Sequence, residues 1–283
     1  MLQQAGSWEA FDREFDDTQW TDGWLQVPIA QVPPGVHASG YRVERQMLEY
    51  TEVFGRPMRL TRPLECRLLY DPQGRLWMSD TPQERIMMYN NSLRTQGAVL
   101  VGGLGLGLYL QYAATGAVGH ATRFTVIERS PVIVDIVKPT VSVSLPVPLE
   151  IRMGDVMARL SGQPSERYDT IFLDTWETLD AAHLPKINFM RDRAIQHLAP
   201  GGQVLLWGYR WMVRLFEDAC RQILAIGPQE RRGWLLAQGE TSPAAVALLM
   251  PIVARFDGQV IDDLETALKW CRRFITSYSL PVS

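Results

Sequence analysis

The chain has no run of about 18 consecutive apolar residues, the length a helix needs to cross a bilayer, and this argues against a membrane-spanning protein. Cysteine is scarce. Cys66, Cys220 and Cys271 stand far apart, so there is neither a disulfide framework nor a Cys-x-x-Cys pair of the kind that holds zinc. That usage fits a reducing compartment, the cytoplasm. The four histidines, His37, His120, His183 and His197, do not recur at metal-ligand spacing. A basic excess is missing too: 28 Lys and Arg stand against 31 Asp and Glu, a net charge of −3. A broad nucleic-acid surface would carry the opposite sign, which leaves only a local patch open. The opening "MLQQAGSWEAFDREF" lacks the basic region and apolar core of a signal peptide.

What is present is an ordinary globular composition, 46% hydrophobic and 21% charged over 283 residues. That length suffices for one large domain, or a main domain with an appendage. Residues 1–65 carry Trp8, Phe11, Phe15, Trp20 and Trp24, and the prolines at 28, 33 and 34 interrupt any helical period, so this part reads as irregular or β-rich. "DPQG" between two apolar runs predicts a β-hairpin at about 64–79. A helix follows, with Ser79 or Thr81 as its cap and Pro82 in its first turn.

From residue 98 the pattern alternates. Strands are expected at "GAVLV", at 123–128, 148–155, 168–174 and 203–209, with helices between them at "LYLQYAATG", "SPVIVDIVK", "VMARLSG" and 184–202, the last ending in a Pro-Gly-Gly stop. Helices are expected again at 211–227, 242–256 and 262–279, with no further strand. Alternation of this kind gives a Rossmann-like, doubly wound, mostly parallel sheet, whose ligands sit at the carboxyl ends of the strands. The chain divides on this reading into an N-terminal irregular or β-hairpin lobe (1–96), a nucleoside-binding α/β domain (97–228) and a helical C-terminal extension (229–283).

The first strand runs into "VLVGGLGLG" (99–107), four glycines in nine positions. Glycine there allows positive φ and a close approach by a ligand or a neighbouring helix, and a β-branched side chain at Gly105 would intrude on the loop. Packing alone is the competing explanation. The dinucleotide fingerprint G-x-G-x-x-G would want a small residue where Leu108 stands, and the spacing of Gly103, Gly105 and Gly107 suits an S-adenosylmethionine site better. The next strands end in acids. Glu128 lies 21 residues beyond Gly107, where a carboxylate reaches the vicinal hydroxyls of a ribose; the alternative is a solvated Glu beside Arg129. If Glu128 faces the cleft, Glu128→Gln should leave the unliganded protein unaffected. Asp155 either approaches an adenine amino group or caps the following helix, or does both. Asp174, beside the glycine loop, can take a proton or hold an ammonium, and Trp176 either stacks on a ring or roofs the core.

These motifs, with "LWMSDTPQE" before the loop and "LDTWETLDAAHLP" after the fourth strand, resemble the class I S-adenosylmethionine-dependent methyltransferase fold. They are similar in particular to spermidine-synthase-like proteins, small phage and bacterial members included. The resemblance covers about half the chain. It implies that Gly103, Gly105 and Gly107 line the methionine end of S-adenosylmethionine, or of its decarboxylated form, that Glu128 holds the ribose and Asp155 the adenine. It implies that Asp174 is the catalytic aspartate, in contact with the cosubstrate, and Glu177 a second acid contacting an amine substrate. Methyltransferases often carry an acid at the position of Val101, and aminopropyltransferases one at Leu106, to bind the cosubstrate ammonium. Both are aliphatic here, and "MYNN" (88–91) replaces the Tyr-His pair of polyamine synthases. Asp80, Gln83 or Glu84 is then expected near the methionine end to replace the missing acid. The functions in view are methyl transfer to an acceptor of unread identity, aminopropyl transfer, and a non-catalytic nucleoside-binding or assembly module. The partners expected are the acceptor and a second copy of the chain.

Overall fold

The computed structural model describes residues 23–37, 39–116, 118–238 and 243–280, and of Arg56 the backbone alone. Trp8, Phe11, Phe15 and Trp20 lie outside the described residues. The chain divides into two compact units: one extends to Glu177 and takes in Arg193–Trp207, and the other comprises Thr178–Asp192 and the chain from Gly208 onward.

The first unit opens with a short helix, α1 (Gly23–Gln26), and an antiparallel sheet of β1 (Gly35–Val36), β2 (Arg42–Val53), β3 (Arg56–Tyr70) and β4 (Leu76–Ser79), in that order. Between β2 and β3 the pairing of Val53 with Arg56 leaves a two-residue loop. Its residues, Phe54 and Gly55, both have positive φ, 49° and 74°, as a hairpin turn matching the strand twist requires. Phenylalanine is an uncommon first residue for such a turn, and the Gln83 side-chain oxygen steadies it by accepting the Phe54 N–H at 2.8 Å. The β3–β4 turn follows from its sequence. Asp71 Oδ1 accepts the backbone N–H groups of Gln73 and Arg75 at 2.9 and 2.8 Å, and Gly74 supplies the left-handed position at φ +78°.

Helix α2 (Pro82–Ser92) then leads to the second sheet. Thr81 occupies the cap position, but its hydroxyl makes no capping bond. The sheet consists of β5 (Gln96–Gly102), β6 (His120–Glu128), β7 (Leu149–Met153), β8 (Tyr168–Leu173) and β9 (Leu198–Leu206), ordered β7-β6-β5-β8-β9 with every pair parallel. The connections are α3 (Leu108–Ala114), α4 (Pro131–Ser144), α5 (Val156–Ser161) and α6 (Leu184–Ile195). This is a Rossmann-like, doubly wound α/β sheet. The chain builds outward from β5 through β6 and β7, then returns to lay β8 and β9 on the other side. Right-handed crossovers running in opposite directions put their helices on opposite faces, and the reversal leaves a crevice between the carboxyl ends of β5 and β8. Val99, Leu100, Val101, Val126, Ile171, Phe172 and Leu173 are almost wholly buried, which explains why these strands read as continuous apolar runs.

Two prolines and a glycine pair depart from the sequence expectation. Helix α4 continues through Pro139 to Ser144. Pro139 is exposed while Ile133, Ile136, Val137 and Val141 are buried, so the carbonyl deprived of its partner faces water and the apolar stripe carries the helix onward. The "APGG" read as a helix stop lies inside β9. Between the pairs Tyr168–Leu198 and Thr170–Gln203, β8 advances two residues and β9 five, so Pro200, Gly201 and Gly202 form a bulge.

The second unit is helical: part of α6, then α7 (Tyr209–Leu224), α8 (Arg231–Ala237), α9 (Pro243–Arg255) and α10 (Leu264–Ser277). Met212, Val213, Phe216, Cys220 and Ile223 on α7, and Leu268, Cys271 and Ile275 on α10, are buried at helical spacing. The Asn188 amide donates to the carbonyls of Ile275 and Tyr278. Arg231 is 2% exposed and donates to the carbonyls of Leu224, Ile226, Phe256 and Gln259, a buried cation satisfied by backbone oxygens. Seven residues are too few to show a period, and α8 is not legible in the sequence. No helix among the described residues is long and apolar enough to cross a membrane.

Candidate functional site

The parallel register brings the acids to one edge. Gly102 pairs with Ile127 on one side and Leu173 on the other, and Glu128 pairs with Met153, so the glycine loop, Glu128, Asp155 and Asp174 all emerge at the carboxyl end of the sheet. The three glycines play different parts. Gly103, at φ +92°, would place a Cβ 2.2 Å from the Asp174 carbonyl oxygen. Its own N–H donates to the Ile127 carbonyl at 3.0 Å. Gly107, at φ +77°, caps α3, and a Cβ there would fall 2.2 Å from Val141 on α4. Both are needed for close packing. Around Gly105, at φ +54°, a Cβ would meet nothing within 4 Å. A Cβ alone therefore meets no neighbour at 105, and what glycine supplies there is the left-handed backbone beneath open space.

Glu128 closes β6 and is 8% exposed. Its Oε2 accepts the Leu104 N–H at 2.8 Å and its Oε1 the Ser130 N–H at 2.7 Å. The carboxylate thus ties the glycine loop to the start of α4, and each oxygen retains a further lone pair. This corrects the expectation that the unliganded protein is indifferent to Glu128. Glu128→Gln turns one of the two acceptors into a donor facing a donor, so a loss of about 1–3 kcal/mol is expected without any ligand. A shift in the denaturation midpoint measures it, and an unshifted midpoint would show that these two bonds contribute nothing. Asp155 is exposed and caps α5, its Oδ1 accepting from Met157 and Ala158 at 2.7 and 3.1 Å. The capping role is present, and its second oxygen is left over.

Asp174 follows β8 with its N–H bonded to the Gly102 carbonyl at 2.9 Å. No hydrogen bond reaches its carboxylate from the described residues. Burial, followed by the charges of Glu84 and Glu128, holds that carboxyl well above the usual carboxylate range. Glu177 is exposed, and the acids that act on Asp174 are Glu84 and Glu128.

Of the three residues expected to replace the missing acid, two are committed elsewhere. Asp80 is 2% exposed. It pairs with Arg85 at 2.9 Å and accepts from Gln31 at 2.7 Å and from the Arg67 N–H. Gln83 holds the Phe54 turn. Glu84 reaches the site. Its Oε2 accepts from Trp207 Nε1 at 2.9 Å, and burial pushes its carboxyl up to about 7 against that bond. Trp207, just past β9, is 7% exposed, and its ring centroid stands 6.2 Å from that of Trp176. The Trp176 Nε1–H is buried without an acceptor among the described residues. No basic side chain among the described residues opposes the charge of Glu84 or Asp174, and no group of three potential ligands for a metal occurs among them. Val101 and Leu106, 1% and 7% exposed, belong to the core. Trp207 is the residue sequence reasoning missed: "QVLLWGY" showed a strand, and nothing local announced that its tryptophan would meet a helix 123 residues earlier.

No protein-family model and no curated protein matches the sequence. Among solved structures, the chain is similar to the Trypanosoma brucei PRMT1 enzyme–prozyme heterotetrameric complex with AdoHcy, at 20% identity and a TM-score of 0.32 over 42% of this chain and 36% of that one. It is similar also to the precorrin-6y C5,15-methyltransferase of Geobacter metallireducens GS-15, at 16% identity and a TM-score of 0.32 over 44% of this chain and 59% of that one. The chain thus spans less than two thirds of either protein. At these scores neither likeness bears on function.

Proposed function

We propose that the carboxyl edge of the parallel sheet binds S-adenosylmethionine and that the protein transfers its methyl group to an acceptor. The observation that carries this reading is the loop itself: Gly103 and Gly107 are packed tight, while Gly105 between them lies under open space, with Glu128 held at the end of the adjoining strand. Such a cradle fits an adenosyl group, whose ribose hydroxyls would meet the lone pairs Glu128 has left. The bound cosubstrate supplies an electrophilic methyl on a sulfonium. The loop and Glu128 hold the nucleoside in place, and positioning of this kind supplies most of the rate in an in-line transfer. Asp174, its carboxyl raised by burial and by two neighbouring acids, is once ionised a stronger base than an ordinary carboxylate and is suited to take a proton from a nitrogen or oxygen nucleophile.

One observation favours aminopropyl transfer as the second reading. With no basic side chain opposing Glu84 and Asp174, the α-carboxylate of S-adenosylmethionine would meet like charge, whereas the decarboxylated form presents only an ammonium. Calorimetry of the full chain with S-adenosylmethionine, S-adenosylhomocysteine and decarboxylated S-adenosylmethionine separates them. Preference for the carboxylated ligands is expected for methyl transfer, and the reverse preference moves the assignment to aminopropyl transfer. Silence from all three overturns the nucleoside site and leaves a binding or assembly module.

A further inference from the structure

Val101 and Leu106 are aliphatic and buried in the core, so neither offers a counter-charge to a cosubstrate's amino group, and a buried ammonium without one costs several kcal/mol. The crevice does hold a surplus of carboxyl groups, and one of them comes from outside the sheet. Glu84 is delivered by α2, fixed by the Trp207 N–H at 2.9 Å, and stands close enough to Asp174 for its charge to act there. The fixing bond occupies one lone pair of one oxygen, and no hydrogen bond from the described residues reaches the other oxygen. On the same wall lie the Trp176 ring and its buried, unpaired N–H, and the space above Gly105 is open. A cation entering between Glu84 and Asp174 would relieve the repulsion between them and meet aromatic faces that also favour positive charge.

We propose that Glu84 binds the primary ammonium at the end of the cosubstrate's aliphatic tail, supplying from α2 the counter-charge that the aliphatic Val101 and Leu106 do not. The proposal rests on the adenosyl reading of the crevice, and the test keeps the two apart. Two probes share the nucleoside and differ in the tail: S-adenosylhomocysteine carries the ammonium, and 5′-methylthioadenosine has none. Their affinities are measured calorimetrically for the full chain and for Glu84→Gln at a pH about 1.5 units above the Glu84 pKa, where its carboxyl is ionised. Glutamine keeps an oxygen for the Trp207 N–H, so the variant should fold. The parent is expected to bind S-adenosylhomocysteine more tightly than methylthioadenosine. Glu84→Gln should weaken S-adenosylhomocysteine at least tenfold and methylthioadenosine less than about twofold, and Glu84→Asp, which keeps the charge, should retain more of the discrimination. Equal weakening of both probes, or no weakening of either, overturns the role of Glu84 while leaving the nucleoside site standing. If neither probe binds the parent protein, the adenosyl reading fails and this assignment fails with it.

Discussion

Gly103→Ala is expected to destabilise the sheet unit by roughly 3 kcal/mol or more, a large share of the ~5–15 kcal/mol that holds a typical domain together, whereas Gly105→Ala should fold. The new Cβ at 103 would sit 2.2 Å from the Asp174 carbonyl oxygen. That oxygen cannot step aside cheaply, because the Asp174 N–H is bonded to the Gly102 carbonyl and the clash therefore pushes β5 and β8 apart at the crevice. The left-handed backbone at φ +92° adds roughly 1–2 kcal/mol for any residue with a Cβ. At Gly105 only this conformational cost applies, since nothing lies within 4 Å, and the added methyl projects into the space assigned to the cosubstrate. Urea denaturation of the two variants should show a much lower midpoint for Gly103→Ala. Calorimetry with S-adenosylhomocysteine should show weakened binding for Gly105→Ala. A Gly105→Ala protein that folds and binds as the parent does would mean that the open space is not the ligand's, and a Gly103→Ala protein of parental stability would refute the close approach.

The parallel sheet was legible in the sequence because its strands are short apolar runs that end in loops with strong local chemistry. Gly102, Gly103, Gly105 and Gly107 mark the first turn, and Glu128, Asp155 and Asp174 mark the next three, and all lie at one edge. Misreadings arose where tertiary packing outweighed local propensity. Pro139 reads as a stop, yet the helix continues because Val141 on its far side is buried. Pro200, Gly201 and Gly202 read as a stop too, yet β9 absorbs them as a bulge against β8. The Phe54–Gly55 turn was invisible because phenylalanine rarely takes positive φ, and it takes it here with Gln83 holding its N–H. In the crevice, the sequence named the acids on the strands but could not rank Asp80, Gln83 and Glu84. That ranking depends on which of the three finds a partner elsewhere, and only the fold shows Arg85 and the Phe54 N–H claiming two of them.

Raising the pH is expected to destabilise the unliganded protein relative to Glu84→Gln. The Glu84 carboxyl has its pKa near 7 in the folded chain against an ordinary 4.5. A carboxyl whose pKa is raised by folding binds its proton more tightly in the folded state, so its contribution to stability is fully present below the unfolded value. It is lost as the pH rises through the folded one. The window therefore runs from the unfolded value of 4.5 up to about 7, and a gap of this size is worth on the order of 3 kcal/mol. Asp174 and Asp80 are raised as well and slope the same way, but both remain in the variant, so the difference between the two proteins reports Glu84 and its charge acting on Asp174. Their denaturation midpoints should coincide below the unfolded value and separate through the window, with Glu84→Gln the more stable at its upper end. Removing the Glu84 charge also eases the ionisation of Asp174, which widens the gap. S-adenosylhomocysteine at saturation should close it, because a bound ammonium favours the ionised carboxyl that the empty crevice disfavours. Midpoints that track each other across the whole window would show that the Glu84 carboxyl stays ionised and solvated, and the charge surplus of the crevice would then fall to Asp174 and Glu128 alone.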